Sequence, residues 1–135
     1  MLDPMPTIFT RIIQGDLPGH IVYRDETCVA FMSIAPLSPG HTLVVPTVEV
    51  DHWIDLDEST MTHLTVVSKR IAAVIDEMYS PTKVAMMIIG DEVPHVHVHL
   101  IPFNSAADLN FASVSMASPE DLEAAANLIR TGLDR

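Results

Sequence analysis

The chain is poor in cysteine and in basic residues. Its single cysteine, Cys28, excludes an internal disulfide and fits a reducing compartment. Lys and Arg number 7 against 18 Asp and Glu, a net charge of −11 with histidine neutral. A surface this acidic has no generic basic patch for duplex nucleic acid or an anionic membrane. No apolar run approaches the roughly 18 residues needed to span a bilayer. The opening MLDPMPTIF lacks a basic segment leading into an apolar stretch, so it does not read as a secretory leader. Repeats, low-complexity tracts and linkers are missing too. Together these absences point to a soluble cytoplasmic protein with no nucleic-acid or membrane partner. What is present is 48% apolar residues, enough for a core and too many for wholesale disorder. One domain spanning residues 1–135 is expected.

The apolar periodicity sets the elements. Ile8, Phe9, Ile12 and Ile13 share one helical face over Thr7 to Gln14, and Gly15 is a natural stop. Apolar runs at His20 to Tyr23 and Cys28 to Ile34, separated by polar residues, predict a hairpin. PLSPG, from Pro36 to Gly40, is a loop, and His41 to Val45 is a β-branched strand stopping at Pro46. From Asp55 to Tyr79, apolar residues recur at steps of three and four and predict one long helix. Asp55 with Glu58 has capping-box spacing, and Asp57 or Ser59 are alternative caps. Lys83 to Gly90 and Pro94 to Ile101 read as two strands joined by GDEV, with Met86 and Met87 expected in the core. Ser118-Pro119-Glu120-Asp121 starts a short helix ending at Thr131, before Gly132. Strands divided by one long helix favour an α+β domain with an antiparallel sheet.

The informative segment is His95-Val96-His97-Val98-His99-Leu100-Ile101-Pro102. In a strand, alternation puts His95, His97 and His99 on one face and Val96, Val98 and Leu100 on the other. A row of imidazoles is odd for a core and odd for a solvated face. Three readings compete. The row is hydrogen-bonded without chemistry; or it is a metal site; or it is a nucleophilic histidine supported by two others. At about 3.3 Å per residue, His95 and His99 stand about 13 Å apart along the backbone. All three rings cannot then reach one zinc, so a metal would take two of them and a ligand from His41, His52, His63 or an acid. A neutral imidazole attacks phosphorus well, and its ordinary pKa near 6.5 leaves it mostly unprotonated at neutral pH.

HVHVHLIP resembles the signature of the histidine triad (HIT) family, and TIFTRIIQGDLPGHIVYRDETCVAFMSIAPLSPGHTLVVP resembles that family's amino-terminal half. The resemblance covers most of residues 7–102 and leaves 103–135 as a carboxy-terminal extension with a short helix. It implies a five-stranded antiparallel sheet with a long helix and short terminal helices, usually as a homodimer. It further implies a nucleotidyl hydrolase or transferase acting on a small-molecule nucleotide, with a phosphoramidate-like substrate and no cofactor. His97 would attack the α-phosphorus to form a covalent nucleotidyl-histidine, which water then cleaves. His99 would contact phosphate oxygens. His95 would orient the His97 ring through its backbone carbonyl, and His41 would lie beside the site. Ile8, Phe9 and Ile12 correspond to residues that hold a base, with Phe31, Ser33, Ile34 and Glu92 around the nucleotide.

The sequence also departs from the family pattern. Lys83 to Pro94 lacks the usual Asn and the usual polar pair before the triad, and Asp91 and Glu92 take their place. Their bland reading is an exposed acidic turn. Ser33 replaces the usual ribose-binding acid, and a neutral hydroxyl cannot match a charge-assisted bidentate pair. These departures keep open a nucleotide-binding module with little turnover, beside a metal-dependent hydrolase using two triad histidines. Thr10 occupies the place of a family zinc-binding cysteine, so no such zinc is expected, and Cys28 is expected as a buried small hydrophobe. His20, His52, Trp53 and His63 are expected in turn, packing or interface roles.

Overall fold

A computed structural model describes residues 5–135; residues 1–4, on which part of the leader reading rests, lie outside it. Among the described residues the fold is α+β, with five antiparallel strands and three α-helices. Helix α1 spans Ile8–Ile13. Strands β1 (Ile21–Arg24), β2 (Cys28–Met32) and β3 (Thr42–Pro46) follow. After α2 (Glu58–Tyr79) come β4 (Lys83–Ile88), β5 (Val98–Phe103) and α3 (Pro119–Leu133). The sheet order is β1-β2-β3-β5-β4. No helix of the described residues is long and apolar enough to cross a membrane.

Alternation along the strands gives the sheet two unlike faces. One carries Ala30, Val44, Val98 and Leu100 and packs against Leu64, Val67, Ile71 and Ile75 of α2, with Leu122, Ala126 and Ile129 of α3 beyond. The other carries Val29, Phe31, Leu43 and Val45, covered by Phe9 of α1. Leu43 pairs with His99 across β3 and β5, and Phe31 with Leu43 across β2 and β3, so His99 belongs to this second face.

Three boundaries and one burial differ from expectation. The long helix starts at Glu58 with Asp57 as N-cap, because Trp53–Asp55 forms a separate 3-10 turn. Strand β5 starts at Val98 rather than Pro94, since Ile88 is the last β4 residue paired with it; His95 and His97 lie in the preceding segment, where Val96 N–H bonds to the Val50 carbonyl. Helix α3 runs through Gly132 to Leu133. A Cβ on Gly132 would stand 2.3 Å from Val74, so this glycine permits close packing of α3 on α2 rather than ending the helix. Met86, expected in the core, is 48% exposed, because β4 is an edge strand; Met87 is half-buried.

Candidate active site

The site is built on the second sheet face, where β3, β5 and the segment before β5 meet α1. All three triad rings gather there. The His97 and His99 ring centroids are 4.9 Å apart, and Phe9 stands edge-on 4.8 Å from His97 and 5.8 Å from His95. His95 is fully buried, and His97 and His99 keep 6% and 9% of their surface exposed.

Fixed backbone groups determine the proton on each ring. The Pro46 carbonyl can only accept, so His95 Nε2–H donates to it at 2.8 Å. His95 Nδ1 then accepts from the Thr7 hydroxyl at 2.6 Å. The His95 carbonyl in turn accepts from His97 Nδ1–H at 2.8 Å, which leaves the Nε2 lone pair of His97 free. On the other side, the Leu37 amide donates to His41 Nδ1 at 3.0 Å. His41 therefore carries its proton on Nε2 and donates it to His99 Nδ1 at 2.9 Å. Neutral His99 is left with Nε2–H as a free donor. The outcome is a lone pair on His97 beside an N–H on His99.

The electrostatics keep these rings neutral. Burial lowers the His97 pKa from 6.5, against the opposing pull of the His95 carbonyl, Glu92 and Asp91. Burial and His97 bring His99 down to about 4, and burial with His99 and His97 brings His41 down to about 3. Burial also lowers His95, although the Pro46 carbonyl and Glu49 oppose it. A neutral nucleophile next to a neutral donor is suited to an incoming phosphate ester or amide. Every ring nitrogen of His41 and His95 is taken, so among the described residues only Nε2 of His97 and of His99 are left to meet a ligand.

A family model of the HIT domain matches residues 14–106. The chain belongs to the HIT family. An HIT-like protein of Methanocaldococcus jannaschii is 33% identical over 99 residues, 70% of this chain and 77% of its own. The crystal structure of an Hit-like protein from Bartonella henselae, described as involved in cell-cycle regulation, is similar with a TM-score of 0.83. It is 27% identical and covers 97% of this chain and 99% of that one. A hypothetical histidine triad nucleotide-binding protein from Sulfolobus tokodaii also gives 0.83, with 28% identity over 94% of this chain and 91% of that one.

The remaining HIT site candidates spread outward from the triad. Phe31 is buried against Phe9, with ring centroids 5.5 Å apart. Ile12 is partly buried against the same cluster, and Ile8 lies exposed at the helix surface. Ser33 is buried, and its amide donates to the His41 carbonyl at 3.0 Å. Ile34 is exposed, and its carbonyl accepts from Ala117 of the carboxy-terminal segment. Asp91 is exposed and Glu92 lies beside it on the loop before the triad.

Sequence reasoning missed three contributors: Thr7, the Leu37 amide and Phe111. The Phe111 ring stands edge-on 5.1 Å from His99 and 6.4 Å from His41, so the carboxy-terminal extension walls one side of the site. Only the PLSPG loop hinted at any of these. Gly40, at φ +99° and with a Cβ position 2.7 Å from the Tyr79 ring, is the residue from which that loop delivers His41.

Proposed function

We propose that the protein is a nucleotidyl hydrolase or transferase acting at the α-phosphate of a nucleoside 5′-phosphate derivative, with phosphoramidates as the preferred class. The observation that carries this reading is the free Nε2 of His97, held in its tautomer by the His95 carbonyl at 2.8 Å. In the first step this lone pair forms a bond to phosphorus while the bond to the leaving amine breaks. The amine takes up a proton from solvent, and the His99 N–H donates to a phosphate oxygen. The nucleotidyl-histidine carries its positive charge on a ring whose Nδ1–H already donates to a carbonyl. Water then attacks phosphorus, loses its proton and releases His97 neutral. Dividing one displacement into two easier ones is what a covalent intermediate contributes.

Phe9, Phe31, Ile8 and Ile12 supply an apolar wall for the base, and Ser33 and Ile34 lie toward the ribose end. Glu92 sits on the loop at the phosphate approach. The solved relative from Sulfolobus tokodaii, named a nucleotide-binding protein, supports the ligand class. A homodimer is part of the proposal, as the family resemblance implies; Val66 of α2 and Met86 of the edge strand β4 are exposed apolar side chains available to such an interface. A sedimented mass of twice 14.8 kDa is expected, and 14.8 kDa would refute the dimer.

The test is incubation with a nucleoside 5′-phosphoramidate, with and without EDTA, followed by acid quenching. Turnover that resists EDTA and a covalently labelled chain are expected. Binding without turnover would favour a nucleotide-binding module, and loss of turnover in EDTA would favour metal-dependent hydrolysis.

A further inference from the structure

On the opposite sheet face from the triad, three side chains unlike their apolar surroundings converge. Asp25 comes from the turn between β1 and β2, Cys28 from the start of β2, and His63 from the second turn of α2. One ligand atom from each lies within 4.8 Å of the other two. Asp25 Oδ2 stands 2.6 Å from His63 Nε2 and 3.9 Å from Cys28 Sγ.

We propose that Asp25, Cys28 and His63 bind a zinc-class divalent ion, pinning the β1–β2 turn to α2. The two oxygens of Asp25 already divide the work this requires. Oδ1 accepts the amides of Thr27 and Cys28 at 2.8 and 2.9 Å and so holds the turn. Oδ2 accepts the Tyr23 hydroxyl at 2.7 Å and also faces the sulfur and the imidazole, so it would serve as a one-oxygen ligand that keeps the Tyr23 bond on its second lone pair. Tetrahedral zinc, with bonds of about 2.0–2.3 Å, sets its ligand atoms roughly 3.3–3.7 Å apart. The sulfur must therefore approach Oδ2 by a few tenths of an ångström, and His63 must withdraw by somewhat less than 1 Å. Both are side-chain adjustments, and the β1–β2 turn keeps its backbone bonds.

The ligand chemistry selects the ion. A thiolate and an imidazole favour zinc, cobalt or cadmium over magnesium or calcium. Binding is a proton exchange without redox change. The Cys28 thiol gives its proton to solvent as sulfur binds the metal. The proton on His63 Nε2 moves through solvent to Nδ1, and the freed Nε2 binds. Because the thiol must give up its proton to bind, affinity rises with pH. The Asp25 carboxyl stays ionised throughout: burial would raise its pKa, but the bonds from Tyr23, the Cys28 amide, His63 and the Thr27 amide outweigh burial. Entry is from the side where His63 and Asp25 keep 39% and 25% of their side-chain surface, which leaves the fourth position to solvent.

Cobalt(II) titration of the full, metal-stripped chain tests the site. One equivalent with a thiolate-to-cobalt charge-transfer band is expected, together with a zinc-dependent rise of several degrees in Tm. Cys28→Ala should remove the band. Because Cys28 is buried, His63→Gln provides a second probe at a partly exposed helix position, and it should weaken binding at least tenfold. The His97→Ala/His99→Ala double variant should retain both the band and the Tm rise. The proposal is overturned if no thiolate band forms, if band and affinity survive His63→Gln, or if they vanish with the triad pair. None of these results depends on nucleotide turnover.

Discussion

The two faces of the sheet use the same alternation for opposite ends. Away from the Asp25, Cys28 and His63 cluster, the face under α2 is mostly aliphatic, and those aliphatic side chains need only shape and volume. The face under α1 buries four histidines, each of which brings nitrogens that must be satisfied. That face therefore draws bonding partners from the whole chain: the Thr7 hydroxyl, the Leu37 amide, and the Pro46 and His95 carbonyls. Burial on the first face stabilises the fold. On the second it holds imidazoles neutral and in fixed tautomers, at a cost in stability when they are protonated.

The largest expected effect breaks the chemical face alone. His97→Ala should lower kcat on the order of 10⁴-fold or more, as loss of a nucleophile does elsewhere, while the denaturation midpoint changes little. Single-turnover kinetics check the first part and urea titration the second. The reciprocal change is Ile71→Ala, fully buried under the aliphatic face. It should cost about 2–5 kcal/mol and leave the turnover of folded molecules unchanged. If Ile71→Ala reduced kcat as strongly as it reduced stability, the two faces would not be separable.

Lowering the pH should sharpen the contrast. His41 and His99 bind protons near 6.5 when unfolded but only near 3 and 4 when folded. The unfolded chain thus takes up more protons, so stability is full above pH 6.5 and falls as pH drops toward 4. A loss on the order of 2–4 kcal/mol between pH 7.5 and 5 is expected, since a tenfold difference in proton affinity is worth about 1.4 kcal/mol. Replacing both residues by Gln should flatten that slope. Activity follows the same sign: His97, lowered from 6.5, should give kcat/KM an acid limb whose midpoint lies below 6.5. The smallest effect is Thr7→Val, which removes the α1 cap and the donor to His95. A loss of about 1–2 kcal/mol is expected in thermal unfolding. The drop in kcat should be under about tenfold, because in the proposed mechanism His95 acts through His97 rather than on phosphorus.

Much of the fold was legible because periodicity is local. The apolar stripe of α2, the Ser118 cap of α3 and the hairpin of β1 and β2 all follow from neighbouring residues. The same alternation placed the three triad rings together, even though β5 proper begins only at Val98. Local pattern failed where a distant element decided the outcome. Gly132 looks like a helix stop but serves the contact of α3 with Val74. Met86 looks like core but sits on the edge strand β4. His63 reads as a surface or interface residue and does keep 39% of its side-chain surface, but local pattern gave no sign that it meets Asp25, 38 positions away.

By itself, the sequence determined which rings share a face, because a strand's two-residue repeat is a property of the backbone. Only the tertiary structure decided what state those rings are in. The proton on His97 is placed by a neighbour two residues away, but that on His99 depends on His41, 58 residues away, and the anchoring of His95 on Thr7, 88 residues away. A ring's tautomer and charge are set by whatever lies within hydrogen-bond reach, and folding, not chain order, chooses those neighbours.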